Sequence, residues 1–461
     1  MKNFQVELPV REEKVYDIRK FGAVSGGIES NSEAIHKAVE AAYENGGGRV
    51  VIPAGIWLSG PVELKSHVEL HLEQGAILVF SKSKEENLLY LSDFEGIPNI
   101  RAKSPIYAEN ASHVSITGKG ILEGNGDLWR PVKQGKLTKR EWEGLMRKSQ
   151  YTVQGGDGQI WLPSESSYAG WMADAEGKLD RSDVKAAEKY WDYFRPVMIR
   201  FYHCDHVLIE DITSQNSPAW NIHTCFCEHV TVRRVNVLNP YFAQNGDGLD
   251  VESCKYVEIT DSKFDVGDDA ICLKAGKGAA ARKTKGPTEY VRIRNCVVLH
   301  GHGGFVIGSE MSRGVRHVEA VDCDFIGTDV GIRFKSAYGR GGVVEDITLE
   351  AIRMFQIKKE AIIFSMGYVL DKKQEKQPGD KEEIVLDDVP CFRDVTMKNI
   401  TCLGAEIGLK AEGLPFEARL DFHTIDKIML SDSMFVCDTE SDIRNAGDIL
   451  MENVEFVKEQ K

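Results

Sequence analysis

Four short clusters hold the residues best equipped for chemistry: Asn245-Gly246-Asp247, Gly267-Asp268-Asp269, Gly301-His302-Gly303 and Arg333-Phe334-Lys335. The second makes the strongest demand. In FDVGDDAICLK, residues 264–274, two adjacent carboxylates stand against the apolar run Ala270, Ile271, Cys272 and Leu273. Neighbouring like charges beside buried surface resist ionising together, so something must compensate them. A solvated turn, a calcium site and a catalytic pair each meet that requirement. Strand alternation would point Asp268 and Asp269 to opposite faces. Gly267 just before them suggests a bend that lets both face one cleft.

The elements that must position these clusters are repeats. HVLIEDITSQNSPAWNIHTC from 206, HVTVRRVNVLNPYFAQNGDGLDVESC from 229 and YVEITDSKFDVGDDAICLKAG from 256 share one plan, as do the units from 290, 317 and 344. Each opens with a short alternating strand, turns through polar or Gly-containing residues, and ends in a second strand such as GLDVES, AICLKA, GFVIGS or GIRFKS. The leading valine recurs at Val207, Val230, Val257, Val291 and Val318, in steps of 23, 27, 34 and 27 residues. Such a unit cannot bury its apolar face alone, whereas stacked coils can, which predicts an all-β parallel solenoid. The Leu/Asn consensus and helical half-repeats of a leucine-rich horseshoe are missing. Stacking places equivalent positions about 4.8 Å apart. It gathers three carboxylates, an imidazole and two cations on one ridge, and four adjoining coils with polar clusters at the same phase are poorly explained as four separate solvated turns.

Two segments depart from the repeat. NSEAIHKAVEAAYENGGG sets Ala34, Ile35, Ala38, Val39 and Ala42 on one helical face, capped by Asn31 or Ser32 and stopped at Gly46. A helix of about residues 31–45 suits the open N-terminal edge of a solenoid. Residues 127–195 carry five of the seven tryptophans: Trp129, Trp142, Trp161, Trp171 and Trp191. An insertion this long is expected to form short helices packed as a lid beside the cleft. Its tryptophans either anchor it to the solenoid or supply aromatic walls to a ligand site. The whole, residues 14–461, reads as a single domain.

A formal net charge of −14 argues against nucleic acid, and an anionic ligand would need a local basic patch. No run approaches about 18 uninterrupted apolar residues, so no membrane span is expected. MKNFQVELPVREEK has no apolar stretch of signal-peptide length. That places the chain in the cytoplasm as it stands, or makes it secreted or periplasmic if a leader has been removed. The ten cysteines fall mostly in apolar-alternating runs and are expected reduced and buried. Cys225 and Cys227 look like half a metal site, but no second pair follows at ligand spacing. No metal or cofactor is expected, and oligomeric state is not readable.

In this order the clusters resemble glycoside hydrolase family 28, the polygalacturonases and related pectin-degrading hydrolases. That family's pattern is Asn-Thr-Asp, Gly-Asp-Asp, Gly-His-Gly and Arg-Ile-Lys. Here it reads NGD at 245–247, GDD at 267–269, GHG at 301–303 with GS at 308–309, and RFK at 333–335. The departures, Gly246 and Phe334, lie between functional positions. DIRKFGA, the GGGRVVIPAG turn and the capping helix extend the likeness over most of the chain. The resemblance implies a right-handed parallel β-helix, in agreement with the repeat.

It also implies roles. Asp268 would be the general acid, while Asp247 and Asp269 would hold and deprotonate the attacking water, giving inversion. Such a division fits the need for one protonated and one ionised carboxyl, and three clustered carboxylates raise at least one pKa. His302 would tune the acid, Asn245 would orient Asp247 or meet sugar hydroxyls, and Arg333 and Lys335 would bind the uronate carboxylate. Tyr368 falls where the family often has a sugar-contacting tyrosine. The basic loop after Leu273, with Lys274, Lys277, Arg282, Lys283 and Lys285, is expected to form further uronate subsites or else to be a solvated charge run. The Trp-rich insertion and this loop would block one end of the cleft, favouring exo-cleavage of pectic oligo- or polysaccharides. The alternatives are a rhamnogalacturonan or xylogalacturonan hydrolase, a calcium-dependent pectate lyase, or a non-catalytic carbohydrate-binding β-helix.

Overall fold

The computed structural model describes residues 4–156, 158–284, 286–368, 378 and 382–458. The valine column forms because each coil repeats the same inward position. Val207, Val230, Val257, Val291 and Val318 stand in parallel register, one above the next, and continue through Ile347, Val395 and Ile428. All eight are buried. A coil has three strands, as in Lys255–Thr260, Lys263–Val266 and Asp269–Lys274. Each pairs in parallel with its counterpart in the next coil: Thr288–Arg294, Val297–His300 and Gly303–Gly308. Thirty-two strands join in one right-handed parallel β-helix. Asp211, Arg234, Asp261, Asn295 and Asp322 turn the corner between first and second strands with φ between 51° and 65°. Asn and Asp tolerate that left-handed region better than most residues, which accounts for their recurrence there.

Helix Ser32–Glu44 buries Ala34, Ile35, Ala38, Val39 and Ala42 against strands Val15–Asp17 and Gly48–Ile52 at the N-terminal end. Asn31 holds the cap position, but its side chain does not cap the helix. Its Oδ1 instead accepts from the Val24 N–H at 2.7 Å. The ten cysteines are free and buried.

The residue before each leading valine has its own role. His67, His113, His206, His229, Tyr256, Tyr290 and His317 all take positive φ and point outward. Their rings form a ladder with successive centroids 4.4–5.3 Å apart. The N-terminal strap lies along it. The Phe4 ring meets Tyr256 and Tyr290, the Glu7 N–H donates to His229 Nδ1 at 3.1 Å, and the Val10 N–H donates to His113 Nδ1 at 3.3 Å.

Both of those bonds require an unprotonated Nδ1. Burial, followed by the charges of His206 and His67, holds His113 below its ordinary value. A histidine with a depressed folded pKa stabilises the native state while neutral, and that stability is lost as pH falls. The opposing Glu7–His206 ion pair, 3.2 Å apart with Glu7 largely exposed, is worth less than about 1 kcal/mol. Hydrogen-exchange protection of residues 4–14, corrected for intrinsic rates, is therefore expected to drop as pH falls from about 7.5 to about 5. Constant protection across that range would refute the linkage.

Two excursions rise from the turns between second and third strands. The shorter is an antiparallel hairpin, Leu89–Phe94 with Ile97–Ala102. The longer, residues 124–198, holds helices Lys139–Lys148 and Glu165–Ala175 and a three-stranded sheet. Four of its tryptophans are packing residues. Trp129 lies on Trp191 at 4.8 Å, while Trp142 and Trp161 close a small core with Val132.

Candidate active site

The third strands and the turns before them build the site. Asp247, Asp268 and Asp269 converge so that one carboxylate oxygen from each lies within 4.8 Å of the others. Gly267 has ordinary φ; it is required because a Cβ there would sit 2.6–2.8 Å from Pro240 O and from Ala243 O and N. The expected bend is thus a close approach of two turns. Gly301 does need positive φ, at 95°, and a Cβ on it would come 2.7 Å from Asp268 O. That approach lets the His302 N–H donate to Asp268 O at 2.9 Å, while His302 Nδ1 lies 2.9 Å from Asp268 Oδ1. On its other side, His302 Nε2 is 3.9 Å from Asp329, which in turn pairs with Lys358 at 3.0 Å. Asp329 was not anticipated, because nothing in its local sequence sets it apart from other turn aspartates.

Two coils on, Arg333 and Lys335 alternate outward around the buried Phe334. Lys335 Nζ donates to Asp269 Oδ2 at 2.5 Å, and Arg333 Nη1 is 3.5 Å from Oδ1. The Tyr368 ring centroid lies 4.8 Å from Lys335 Nζ and 5.4 Å from the Arg333 guanidinium carbon. The structure therefore gathers Asp247, Asp268, Asp269, His302, Arg333, Lys335 and Tyr368.

Two other expectations are corrected and one is narrowed. Asn245 makes no hydrogen bond to Asp247 among the described residues; its Oδ1 accepts from Arg195 Nη2 at 2.8 Å, and it lines the adjoining pocket, where its other expected role, meeting sugar hydroxyls, stands. Arg282 is a structural tie rather than a free subsite cation. It donates to the carbonyls of Gly339 and Arg340 and pairs with Asp388, because the loop needs an anchor to the neighbouring coils. Lys274 is buried, 3.1 Å from Glu310 and 3.5 Å from Asp250. Lys283 is exposed, and Lys285 lies outside the described residues.

One face of the third sheet is sealed on one side of the site and open on the other. Arg200, His223, Asp250, Glu252 and Lys274 face outward from it yet are almost fully buried. The hairpin Leu89–Ala102 covers this part of the groove, and a Cβ on Gly96 at its tip would be 2.7 Å from Lys277 N. Past that contact the face opens, with Arg333 21 % exposed, Asp268 20 % and His302 32 %. Beneath the cover, His223, Cys225 and Glu252 place donor atoms within 4.8 Å of one another. Burial, then Glu252 and Asp93, hold the Cys225 thiol well above its ordinary value, which makes it a poor metal ligand.

The surroundings of the three acids differ. Burial alone raises Asp268, but His302, then Lys335 and Lys274, outweigh it and leave the carboxyl well below its ordinary range. Asp247 is driven the other way, by burial first and then by the charges of Asp268 and Asp250. Protonation is thus favoured toward Asp247 and Asp250, which burial also raises, and disfavoured at Asp268 beside His302. Such protons belong to the cluster, so a change in the surrounding charge can relocate them. Burial lowers Lys335, but Asp269 more than offsets this and keeps the ammonium charged.

The model for glycosyl hydrolases family 28 matches residues 164–412. The exo-poly-α-D-galacturonosidase of Dickeya chrysanthemi is 29% identical over 402 residues, covering 84% of this chain and 62% of its own length. A probable polygalacturonase of Vitis vinifera is 27% identical over 352 residues, covering 73% of this chain and 60% of its own. The chain therefore spans about three fifths of the length of these curated relatives. Among solved structures, a hyperthermoactive exopolygalacturonase from Thermotoga maritima superposes with a TM-score of 0.79 at 29% identity, over 98% of this chain and 94% of that one.

Proposed function

The chain belongs to glycosyl hydrolases family 28, and from that membership we propose that it removes terminal units from oligogalacturonides by inverting hydrolysis. One observation carries the exo reading: the groove is walled by the Gly96–Lys277 contact on one side of the acid cluster and open at Arg333 on the other. A chain end fits such a groove, whereas the middle of a polymer does not. The names of the Dickeya and Thermotoga relatives support the same reading.

In this reading Arg333 and Lys335 receive a uronate carboxylate, and Tyr368 packs beside it. Asp268, the most exposed of the three acids, faces the glycosidic oxygen. Its low pKa is what uronate binding reverses. Pairing Lys335 with a substrate carboxylate cancels a charge that holds Asp268 down, so the cluster's proton moves toward it. Asp247 and Asp269 hold the water. Carboxylates this close are nearer together than the pairs usual in inverting enzymes. Direct attack by a carboxylate is nevertheless disfavoured, because Lys335 and Arg333 clamp Asp269 and Asp247 is 3 % exposed. A calcium ion on these acids would meet the same two cations, which disfavours the lyase reading.

With hexagalacturonate, early samples should contain only the terminal product and the correspondingly shortened oligomer. Proton NMR during the first turnovers should show the β-anomer of the newly formed reducing end. Early intermediate lengths would sink the exo reading, an α-anomer would sink inversion, and chelation-sensitive ultraviolet absorbance would revive the lyase.

A further inference from the structure

Next to the acid cluster, between the hairpin and the insertion, lies a pocket of about 480 Å³. Arg101, Arg195, Asn99, Asn245, Trp171 and Lys277 are among its lining residues. Asn245 precedes Asp247 by two residues, so the pocket adjoins the catalytic turn. It lies on the hairpin side of the cluster, away from Arg333 and Lys335.

Its charge balance is unusual. Other buried arginines of this chain have carboxylate partners: Arg130 with Asp127 at 2.8 Å, Arg200 with Asp93 at 2.6 Å and Arg340 with Glu310 at 3.0 Å. Arg101 is 7 % exposed, and its buried Nε and Nη2 have no hydrogen-bond partner among the described residues. Its guanidinium carbon lies 3.8 Å from the Phe94 ring centroid, which fixes the plane of the fork. Arg195 donates to neutral oxygens alone, those of Pro218, Gln244 and Asn245. Of the two acids in the lining, Asp174 is taken by Arg181 at 2.6 Å and Tyr193 at 2.7 Å. The other, Glu95, forms no ion pair with Arg101 among the described residues, although its charge acts on the guanidinium, and burial and Glu310 push it above the ordinary carboxylate range. A buried guanidinium without an anion is costly, and a bidentate carboxylate is the partner whose geometry it fits.

We propose that this pocket is a second carboxylate-recognising subsite, in which Arg101, backed by Arg195, pairs the carboxylate of the terminal uronate unit while Trp171 and the amides of Asn99 and Asn245 line the sugar. The substrate is then held by two anionic groups on either side of the acid cluster. This rests on the exo-galacturonan reading above.

The test is calorimetric binding of digalacturonate and of neutral α-1,4-galactobiose to an Asp268→Asn background, with Arg101 intact, Arg101→Met and Arg101→Lys. Arg101→Met should weaken digalacturonate by at least about tenfold and leave galactobiose unchanged, and Arg101→Lys should fall between, since a point charge replaces the fork. Equal digalacturonate affinity in all three would overturn the subsite. Should circular dichroism show Arg101→Met unfolded, an unchanged affinity in Arg101→Lys overturns it equally. Activity with Asp268 intact separates the two readings. Hydrolysis of galacturonides with Arg101-independent binding defeats the subsite alone, whereas Arg101-dependent binding without any hydrolysis defeats the activity and leaves the subsite standing.

Discussion

Asp268→Asn is expected to lower kcat on oligogalacturonides by about 10³–10⁴-fold, the range typical of losing a positioned general acid. The substitution keeps the shape of the side chain, and the amide oxygen can still accept from His302 Nδ1. It removes the proton donor and one negative charge. The same change has two opposing effects on stability. The charge of Asp268 is the second cause, after burial, of the raised Asp247. Relieving that repulsion favours the native state near neutrality, but Asp268 is itself held below its ordinary range, so its charge contributes stability above the unfolded value that the amide forfeits. The two effects oppose each other, and Tm should change little. Inactivation with a nearly unchanged Tm separates a catalytic acid from a structural one. A kcat within tenfold of the parent would remove Asp268 from the mechanism, and a strongly lowered Tm would mean that its bond to His302 holds the turn together.

How much of this site was legible depended on whether a residue's role is set by its own repeat phase or by a distant segment. The valine column and the Asp247, Asp268–Asp269, His302 and Arg333/Lys335 ridge follow from phase alone, because stacked coils turn equal phase into spatial neighbourhood. The His and Tyr residues before the valines carried the same periodic signal. Their ladder answers to the same period on the outward positions, which carry no core signal. Arg282 looked like any cation in a basic loop, and only the packing of neighbouring coils assigns it to Gly339, Arg340 and Asp388. The hairpin Leu89–Ala102 and the pairing of Arg101 with no acid have no repeat phase at all. They arise where an early excursion folds back over coils formed more than a hundred residues later, as at Gly96 and Lys277.

Lys335→Met carries the second large expectation, a loss of about 10²–10³-fold in kcat/KM, because one ammonium serves two charges. It recognises the substrate carboxylate, so KM should rise. It also compensates Asp269, which is 1 % exposed and keeps only Arg333, at 3.5 Å, when Lys335 is gone. Stranding one member of a buried pair typically costs about 3–5 kcal/mol, so Tm should fall, unlike the small change expected at Asp268. Lysine also helps hold Asp268 below the ordinary carboxylate range. Its removal should therefore shift proton uptake by the acid cluster to higher pH in the empty enzyme, visible as an upward move of the acidic limb of the kcat/KM profile. Substrate binding would no longer be needed to recharge Asp268, so the difference between the limbs of kcat and kcat/KM should shrink. If Lys335→Met left that difference intact, proton delivery to Asp268 would have to come from His302, and uronate binding would not be the trigger.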